Sequence, residues 1–123
     1  MVFAANLKPM NVMYRSKDHG KTWNPSAPFP LAGTGEAGLV ELKDGRIYYN
    51  SRTHNRPGNR RIAYSHDGGE TWPAKRLVKE GPGNYTWLAA GRKGTPSEGM
   101  IYLAAGKDWM ARFNLARIME GDE

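Results

Sequence analysis

The chain has no cysteine, no long apolar run and few acidic residues, and each absence narrows what the protein can be. Without cysteine, a disulfide framework and a thiolate metal site are excluded. No stretch approaches the roughly 18 apolar residues that a membrane-spanning helix needs. Residues 1–9 carry a short apolar patch without a basic leader, so we expect no signal peptide. None of these absences fixes the compartment.

The shortage of acidic residues leaves the chain positively charged. Twelve acidic residues stand against eighteen basic ones, for a formal net charge of +6. That charge suits nucleic acid or an acidic small ligand. The basic residues are scattered, and the one cluster runs from Arg52 to Arg61, so we favour an anionic small ligand over nucleic acid. The histidines share no metal-ligand spacing, so no metal or other cofactor is expected; they are His19, His54 and His66.

One eight-residue pattern occurs twice. Residues 16–23 and 65–72 both match S-x-D-x-G-x-T-W, at a spacing of 49 residues. This spacing is the length of one small sheet module, so the chain is predicted to be built from repeats. In each copy the aspartate caps a tight turn, the glycine supplies a positive φ, and the hydroxyls bond loose backbone groups. A turn that satisfies its own polar groups indicates architecture and offers little to a substrate.

Glycine and proline are plentiful where long apolar runs are not. Fifteen glycines and eight prolines favour short strands and turns over helices, so the predicted fold class is all-β. The clearest hairpin runs from Ala37 to Arg52 and turns at residues 43–45. The other predicted strands are residues 11–15, 61–64, 76–79, 85–90, 100–104 and 111–118.

The two turns resemble the Asp boxes, or BNR repeats, of sialidases and related β-propellers. The resemblance implies a partial β-propeller of two to three four-stranded antiparallel blades, because a closed propeller needs at least about four. Residues 1–123 would form a single domain with blade pieces at about 1–30, 31–80 and 81–119. The alternative is an independent small β domain with two coincidental boxes.

Glu36 and Arg52 lie on the two arms of the predicted hairpin. With a three-residue loop at 43–45 and Gly45 in the left-handed region, the pairing places Glu36 directly opposite Arg52. A two-residue turn would shift the register by one and put the two residues on opposite faces. The sequence leaves both registers open, and a surface ion pair at a strand end is the alternative to a site.

The surroundings of this pair resemble the central active-site block of sialidases. Gly35-Glu36, the runs 40–46 and 50–52, Arg61 and the second box follow in the same order. The resemblance implies that Glu36 is the base partner of a tyrosine nucleophile. It also implies that Arg52 is one of three arginines that hold the substrate carboxylate, a role that suits the bidentate fork of a guanidinium.

Residues 80–85 resemble the Gly-Pro-x-x-Tyr start of the family's last catalytic strand, which implies that Tyr85 is the nucleophile. A phenol is a poor nucleophile at neutral pH, so a carboxylate within hydrogen-bond reach has to take its proton. Tyrosine suits sialic acid because the anomeric carbon already bears a carboxylate that would repel a carboxylate nucleophile. The alternative for Tyr85 is a half-buried strand aromatic. Trp87 and Trp109 could stack on a sugar or fill the core.

The sequence also departs from the family pattern. It offers no counterpart of the family's aspartate acid, of its first-blade arginine, or of the glutamate that braces that arginine. For the third arginine, Arg56, Arg60 and Arg61 stay open, and Arg61 is the substrate-binding candidate beside Arg52.

The leading hypothesis is a sialidase-like glycoside hydrolase of the exo-α-sialidase type, which releases terminal sialic acid from glycoconjugates. We expect this chain to be an incomplete C-terminal portion with weak or no activity alone. The alternative is a non-catalytic Asp-box module that binds acidic glycans or a protein partner, and a third hypothesis is a decayed gene fragment. The expected partners are sialic-acid-containing glycans, and open propeller edges would allow self-association.

Overall fold

The structure, a computed structural model, describes residues 2–7, 10–31, 34–53, 59–81, 85–105 and 109–121, with backbone alone at 2–7, 10, 11, 34–36 and 53. In these ranges the elements are β1 (Val2–Leu7), β2 (Met10–Arg15), β3 (Asn24–Pro25), β4 (Thr34–Glu41), β5 (Ile47–Thr53), β6 (Arg60–Ser65), β7 (Ala74–Lys79), β8 (Trp87–Ala90), β9 (Met100–Ala105), β10 (Trp109–Asn114) and α1 (Leu115–Met119). The predicted all-β class is confirmed.

The strands form three antiparallel sheets, each built from strands that are consecutive in the chain. The first sheet is β1-β2-β3, the central sheet is β4-β5-β6-β7, and the third sheet is β10-β9-β8. Among the described strands these sheets are open and do not close into a ring. The propeller arrangement and the division into blade pieces therefore stay predictions.

The central sheet is covered on both faces, because its strands alternate apolar side chains between them. One face joins a core shared with the third sheet, and the other joins a core shared with the first sheet. The first core contains Tyr48, Ile62, Tyr64, Ala74, Ile101, Leu103, Phe113 and Ile118. The second contains Met13, Phe29, Ile47, Tyr49 and Ala63.

The β4–β5 hairpin has the predicted three-residue loop. The Gly45 N–H donates to Leu42 O at 3.0 Å, and Gly45 has φ 91°, in the left-handed region that favours glycine. From Gly38 to Glu41 the register follows from that loop, with Val40 opposite Tyr48. A bulge between Gly35 and Gly38 then shifts the pairing, so that Gly35 lies opposite Arg52. The prediction that Glu36 lies directly opposite Arg52 is therefore wrong.

Both Asp boxes close through the same internal hydrogen bonds. In the first, Ser16 Oγ donates to Asp18 Oδ1 at 2.9 Å, and the Thr22 N–H donates to the same oxygen at 2.8 Å. In the second, Ser65 Oγ donates to Asp67 Oδ1 at 2.8 Å, and the Thr71 N–H donates to it at 2.9 Å. The sequence motif therefore determines the local turn in both places.

Outside the turn the two boxes differ. Trp23 Nε1 donates to Gly20 O, 3.1 Å away in its own turn. Trp72 Nε1 donates to Ala27 O at 2.9 Å, and the Ala27 N–H donates to Gly69 O at 2.8 Å. The second box is thus bonded to the segment that follows β3, and it ties the central sheet to the first.

Candidate functional site

Two arginines lie side by side on the face of the central sheet that meets the third sheet. Arg52 on β5 is directly opposite Arg60 on β6, and cross-strand partners share a face. Arg60 is completely buried. Burial, with a smaller contribution from the charge of Arg52, lowers the pKa of Arg60 to about 10. The Arg60 guanidinium is still protonated at neutral pH and adds positive potential beneath Arg52.

The cationic row extends to a third strand. Lys79 on β7 lies opposite Arg60, at a bulge in the β6–β7 ladder. Lys79, Arg60 and Arg52 therefore follow one another across three neighbouring strands. The three side chains place positive potential at this end of the central sheet.

Tyr85 lies beside Arg52, just before β8. The Arg52 Cζ atom is 5.6 Å from the centroid of the Tyr85 ring, within the range of a cation–π contact. The Tyr85 side chain is 71% exposed. Tyr85 is thus open to solvent, next to a cation that a ligand carboxylate could contact.

A part-buried hydrogen bond ties the residue next to Tyr85 to the central sheet. Asn50 Nδ2 donates to Thr86 Oγ1 at 2.7 Å, and Asn50 is completely buried. Asn50 and Arg52 are two residues apart on β5, so they share a face, and Thr86 is adjacent to Tyr85. This bond links the central sheet to the segment just before β8, one residue from Tyr85.

The structure does not place the other predicted site residues beside Arg52 and Tyr85. The backbone of Glu36 lies in β4, but its side chain is outside the described residues, as is the predicted hydrogen bond between Glu36 and Tyr85. Arg61 pairs with Ser51, so alternation places it on the other face of β6 from Arg60. Arg56 lies outside the described residues. Of the two candidates that the structure describes, Arg60 lies opposite Arg52 and Arg61 does not.

The sequence left Arg60 among three alternatives and missed Lys79, because the places of both residues depend on the β5–β6 and β6–β7 registers. The first register depends on the length of the loop after Thr53, and the second on a bulge near Lys79. Residues 54–59 contain two asparagines, a proline and a glycine, which predict a turn but do not fix which residues of β5 and β6 face each other.

Other site chemistries have little support within the described ranges. There, no group of three or more histidine, cysteine, aspartate or glutamate residues is placed to hold a metal ion. His19 and His66 lie in the two box turns, and His54 is outside those ranges. No described helix has the length and apolar character needed to cross a membrane.

Comparison with known proteins adds a family resemblance to this geometry. The BNR/Asp-box repeat family matches the chain at residues 14–25 and 63–72. A sialidase from Micromonospora viridifaciens is 44% identical over 67 residues, which make up 54% of this chain and 10% of that protein. The chain thus spans about a tenth of the length of the relative that it matches. It carries two BNR/Asp-box repeats and resembles the sialidase family.

Proposed function

We propose that this chain is a sialidase-like module that binds the carboxylate of a terminal sialic acid at Arg52. The observation that carries the proposal is the position of the Arg52 guanidinium, 5.6 Å from the centroid of the exposed Tyr85 ring and directly opposite the buried Arg60. The likeness to a sialidase supports the same ligand class.

The electrostatics favour an anion at this place. Arg52 can meet a carboxylate with two parallel N–H donors, which is stronger and more directional than a single contact. Arg60 is buried, so it acts from below as a fixed positive charge and does not contact the ligand. The low-dielectric surroundings of Arg60 strengthen its attraction for an anion held by Arg52.

In the catalytic form of the proposal, Tyr85 is the nucleophile and Glu36 takes its proton. The Tyr85 oxygen would attack the anomeric carbon as the glycosidic bond to the aglycone breaks and the aglycone leaves; water would then displace the Tyr85 oxygen and release free sialic acid. Arg60, and not Arg61, supplies the second positive charge beside Arg52. We expect weak or no hydrolysis from these 123 residues alone, since the sequence offers no counterpart of the aspartate that would protonate the leaving group.

Binding is tested by titrating the chain with the α-methyl glycoside of sialic acid and following backbone amide shifts by NMR. Arg52→Ala should weaken binding about tenfold or more, because it removes a charge-assisted bidentate contact. Arg46→Ala is the matched control: Arg46 lies at the turn end of the same hairpin, where its Nε is 2.8 Å from Asp44 Oδ2. Methyl galactoside, which has no carboxylate, should not bind.

Catalysis is tested separately with a fluorogenic sialoside. If Tyr85 is the nucleophile, Tyr85→Phe abolishes any turnover while binding of the methyl glycoside persists. The fluorogenic phenolate leaves without an acid to protonate it, so the substrate does not need the absent aspartate; a complete lack of turnover then indicates a non-catalytic glycan-binding module. Equal binding by wild type and Arg52→Ala would overturn the proposal in both forms.

A further inference from the structure

A cavity of about 220 Å³ lies where the turn of the second Asp box meets β2 and β3 of the first sheet. One wall comes from β2 and the first box and carries two cations, Arg15 and Lys17. The other wall comes from the second box and carries two carboxylates, Asp67 and Glu70. Lys17 and Glu70 are exposed, and Arg15 and Asp67 are half-buried. All four side chains therefore offer surface to a ligand.

The absence of a side chain at Gly68 leaves room for the Arg15 guanidinium. A Cβ on Gly68 would lie 1.9 Å from Arg15 Nη1, so the guanidinium is seated against the backbone of the second box. Its Nη2 is 3.5 Å from Glu41 Oε1, and this ion pair is the polar contact that Arg15 makes within the described ranges. The Arg15 side chain is 26% exposed. Arg15 is thus held in place and keeps the N–H donors of Nη1 for a ligand.

The turn holds Asp67 without using all of its acceptors. Oδ1 accepts from Ser65 Oγ and the Thr71 N–H, and Oδ2 accepts from the Thr71 hydroxyl. Each carboxylate oxygen has two lone pairs, so Oδ2 can accept one more hydrogen bond. Glu70 lies in the same turn, and no hydrogen bond or ion pair engages its side chain among the residues that the structure describes. This wall therefore offers negative charge to a donor.

The opposite charges on the two walls do not pair with each other. In the part of the chain that the structure describes, no ion pair joins either cation of the cavity to either carboxylate. An anion in the cavity would be attracted by the cations and repelled by the carboxylates, and a cation would meet the reverse. A ligand that carries both charges is attracted by both walls.

We propose that this cavity binds a small zwitterion, an amino acid or another short amine that carries a carboxylate. The ligand carboxylate lies between Arg15 and Lys17, and its ammonium group lies between Asp67 and Glu70. The volume is below the roughly 300–1,000 Å³ of sites for drug-sized molecules, so it suits a ligand of a few carbon atoms. The cavity shares no residue with the site at Arg52, so the two proposals can be tested independently.

The ligand test uses three compounds with the same four-carbon chain, γ-aminobutyrate, butyrate and butylammonium, at pH 7. Each is titrated into the full chain, and the backbone amides of Asn24, Gly68 and Gly69 are followed by NMR. An ion contact at a partly exposed group changes affinity by up to about fivefold, so γ-aminobutyrate should bind about fivefold more tightly than either compound with a single charge.

Two exposed side chains test the walls separately, and their exposure means that the fold is retained. Lys17→Met should weaken γ-aminobutyrate binding about threefold and leave butylammonium binding no weaker, because it removes a cation from the carboxylate end. Glu70→Gln should weaken γ-aminobutyrate binding about threefold and leave butyrate binding no weaker. The matched controls are Lys21→Met, at an exposed position of the first box outside the cavity, and Glu98→Gln, whose side chain bonds the Gly94 N–H in the β8–β9 turn.

Four results would overturn the proposal. Butyrate could bind as tightly as γ-aminobutyrate, which would make the cavity a site for anions. Butylammonium could do so, which would make it a site for cations. Saturating γ-aminobutyrate could leave the cavity amides unshifted, which would mean that no zwitterion binds there. Lys17→Met and Glu70→Gln could bind γ-aminobutyrate as tightly as wild type, which would mean that the two walls do not hold it.

Discussion

The two Asp boxes have the same motif and the same internal hydrogen bonds, yet they occupy different surroundings. Trp23 of the first box bonds the carbonyl of Gly20 within its own turn. Trp72 of the second box bonds Ala27, 45 residues away in sequence, and packs on Tyr49 with ring centroids 5.3 Å apart. The motif therefore determines the shape of the turn, but the contribution of the turn to the stability of the protein depends on its surroundings.

The same contrast holds for the paired glycines. Gly20 and Gly69 both have φ 87°, so a side chain at either would carry similar backbone strain. A Cβ at Gly20 would have its nearest described neighbour at 3.7 Å, whereas a Cβ at Gly69 would be 2.4 Å from Met13 Cε and 2.9 Å from Ser26 Cβ. Packing against the first sheet therefore distinguishes these two positions.

The largest expected effect comes from alanine at these glycines. Gly20→Ala should cost about 1–2 kcal/mol from left-handed strain alone. Gly69→Ala should cost about 3 kcal/mol or more, because Ser26 has to move as well. Urea unfolding of both variants measures the difference, and equal losses would show that the second box is not packed against the first sheet.

The tryptophans give the next largest difference. Trp72→Phe should lose about 1–2 kcal/mol, since Ala27 O loses its hydrogen bond and the packing on Tyr49 is reduced. Trp23→Phe should lose less, because its indole bond closes only a local turn. Thermal unfolding of the two variants checks this ranking. A larger loss of stability in Trp23→Phe than in Trp72→Phe would contradict it.

Lowering the pH should destabilise the second box. Burial acts to raise the pKa of Asp67, but hydrogen bonds from Thr71 and Ser65 outweigh it and lower the pKa to about 2. A depressed folded-state pKa gives stability that is present above the unfolded value near 3.8 and lost as pH falls towards 2.

The measurement for Asp67 is unfolding free energy between pH 5 and pH 2. Asp67→Asn should flatten the loss over that window. The pKa of Asp18 is also lowered, first by the side-chain hydrogen bond from Thr22, so Asp18→Asn should flatten the slope too. A slope unchanged in both variants would mean that the box carboxylates do not control acid stability.

The smallest expected effect is a gain in stability. His19 has φ 59°, and its counterpart in the second box is Gly68, with φ 76°. His19→Gly should stabilise the chain by about 0.5 kcal/mol, since relief of strain exceeds the added flexibility of the unfolded state. We expect the Tm to rise by about 2 °C. Lys17→Gly, at an exposed neighbouring position, should instead lower the Tm and serves as the control.

The sequence was sufficient where the structure depends on local chemistry. The boxes, the all-β class and the three-residue loop with Gly45 follow from residues that are close together in the chain. The sequence was insufficient where a shift of one residue in strand register changes which residues lie opposite each other. The bulge between Gly35 and Gly38 moved Glu36 out of direct opposition to Arg52, although the loop was predicted correctly.

The candidate site shows the same limit. Arg52 and Tyr85 were both selected from the sequence, and they lie in contact. Arg60 was one of three open alternatives, because a change of one residue in the β5–β6 register exchanges it with Arg61. The bond between Asn50 and Thr86, the residue next to Tyr85, spans 36 residues and has no local signature.

The bond from Trp72 to Ala27 has a consequence for how such chains can be recombined. The 49-residue repeat suggests that one unit could be cut out and inserted into another protein. A segment excised after Leu31 would leave the Trp72 N–H without the carbonyl of Ala27 and would remove Met13 from against Gly69. A portable unit that keeps the second box intact therefore has to include β2, β3 and the segment through Phe29 as well as the central sheet, so it is longer than the 49-residue sequence repeat.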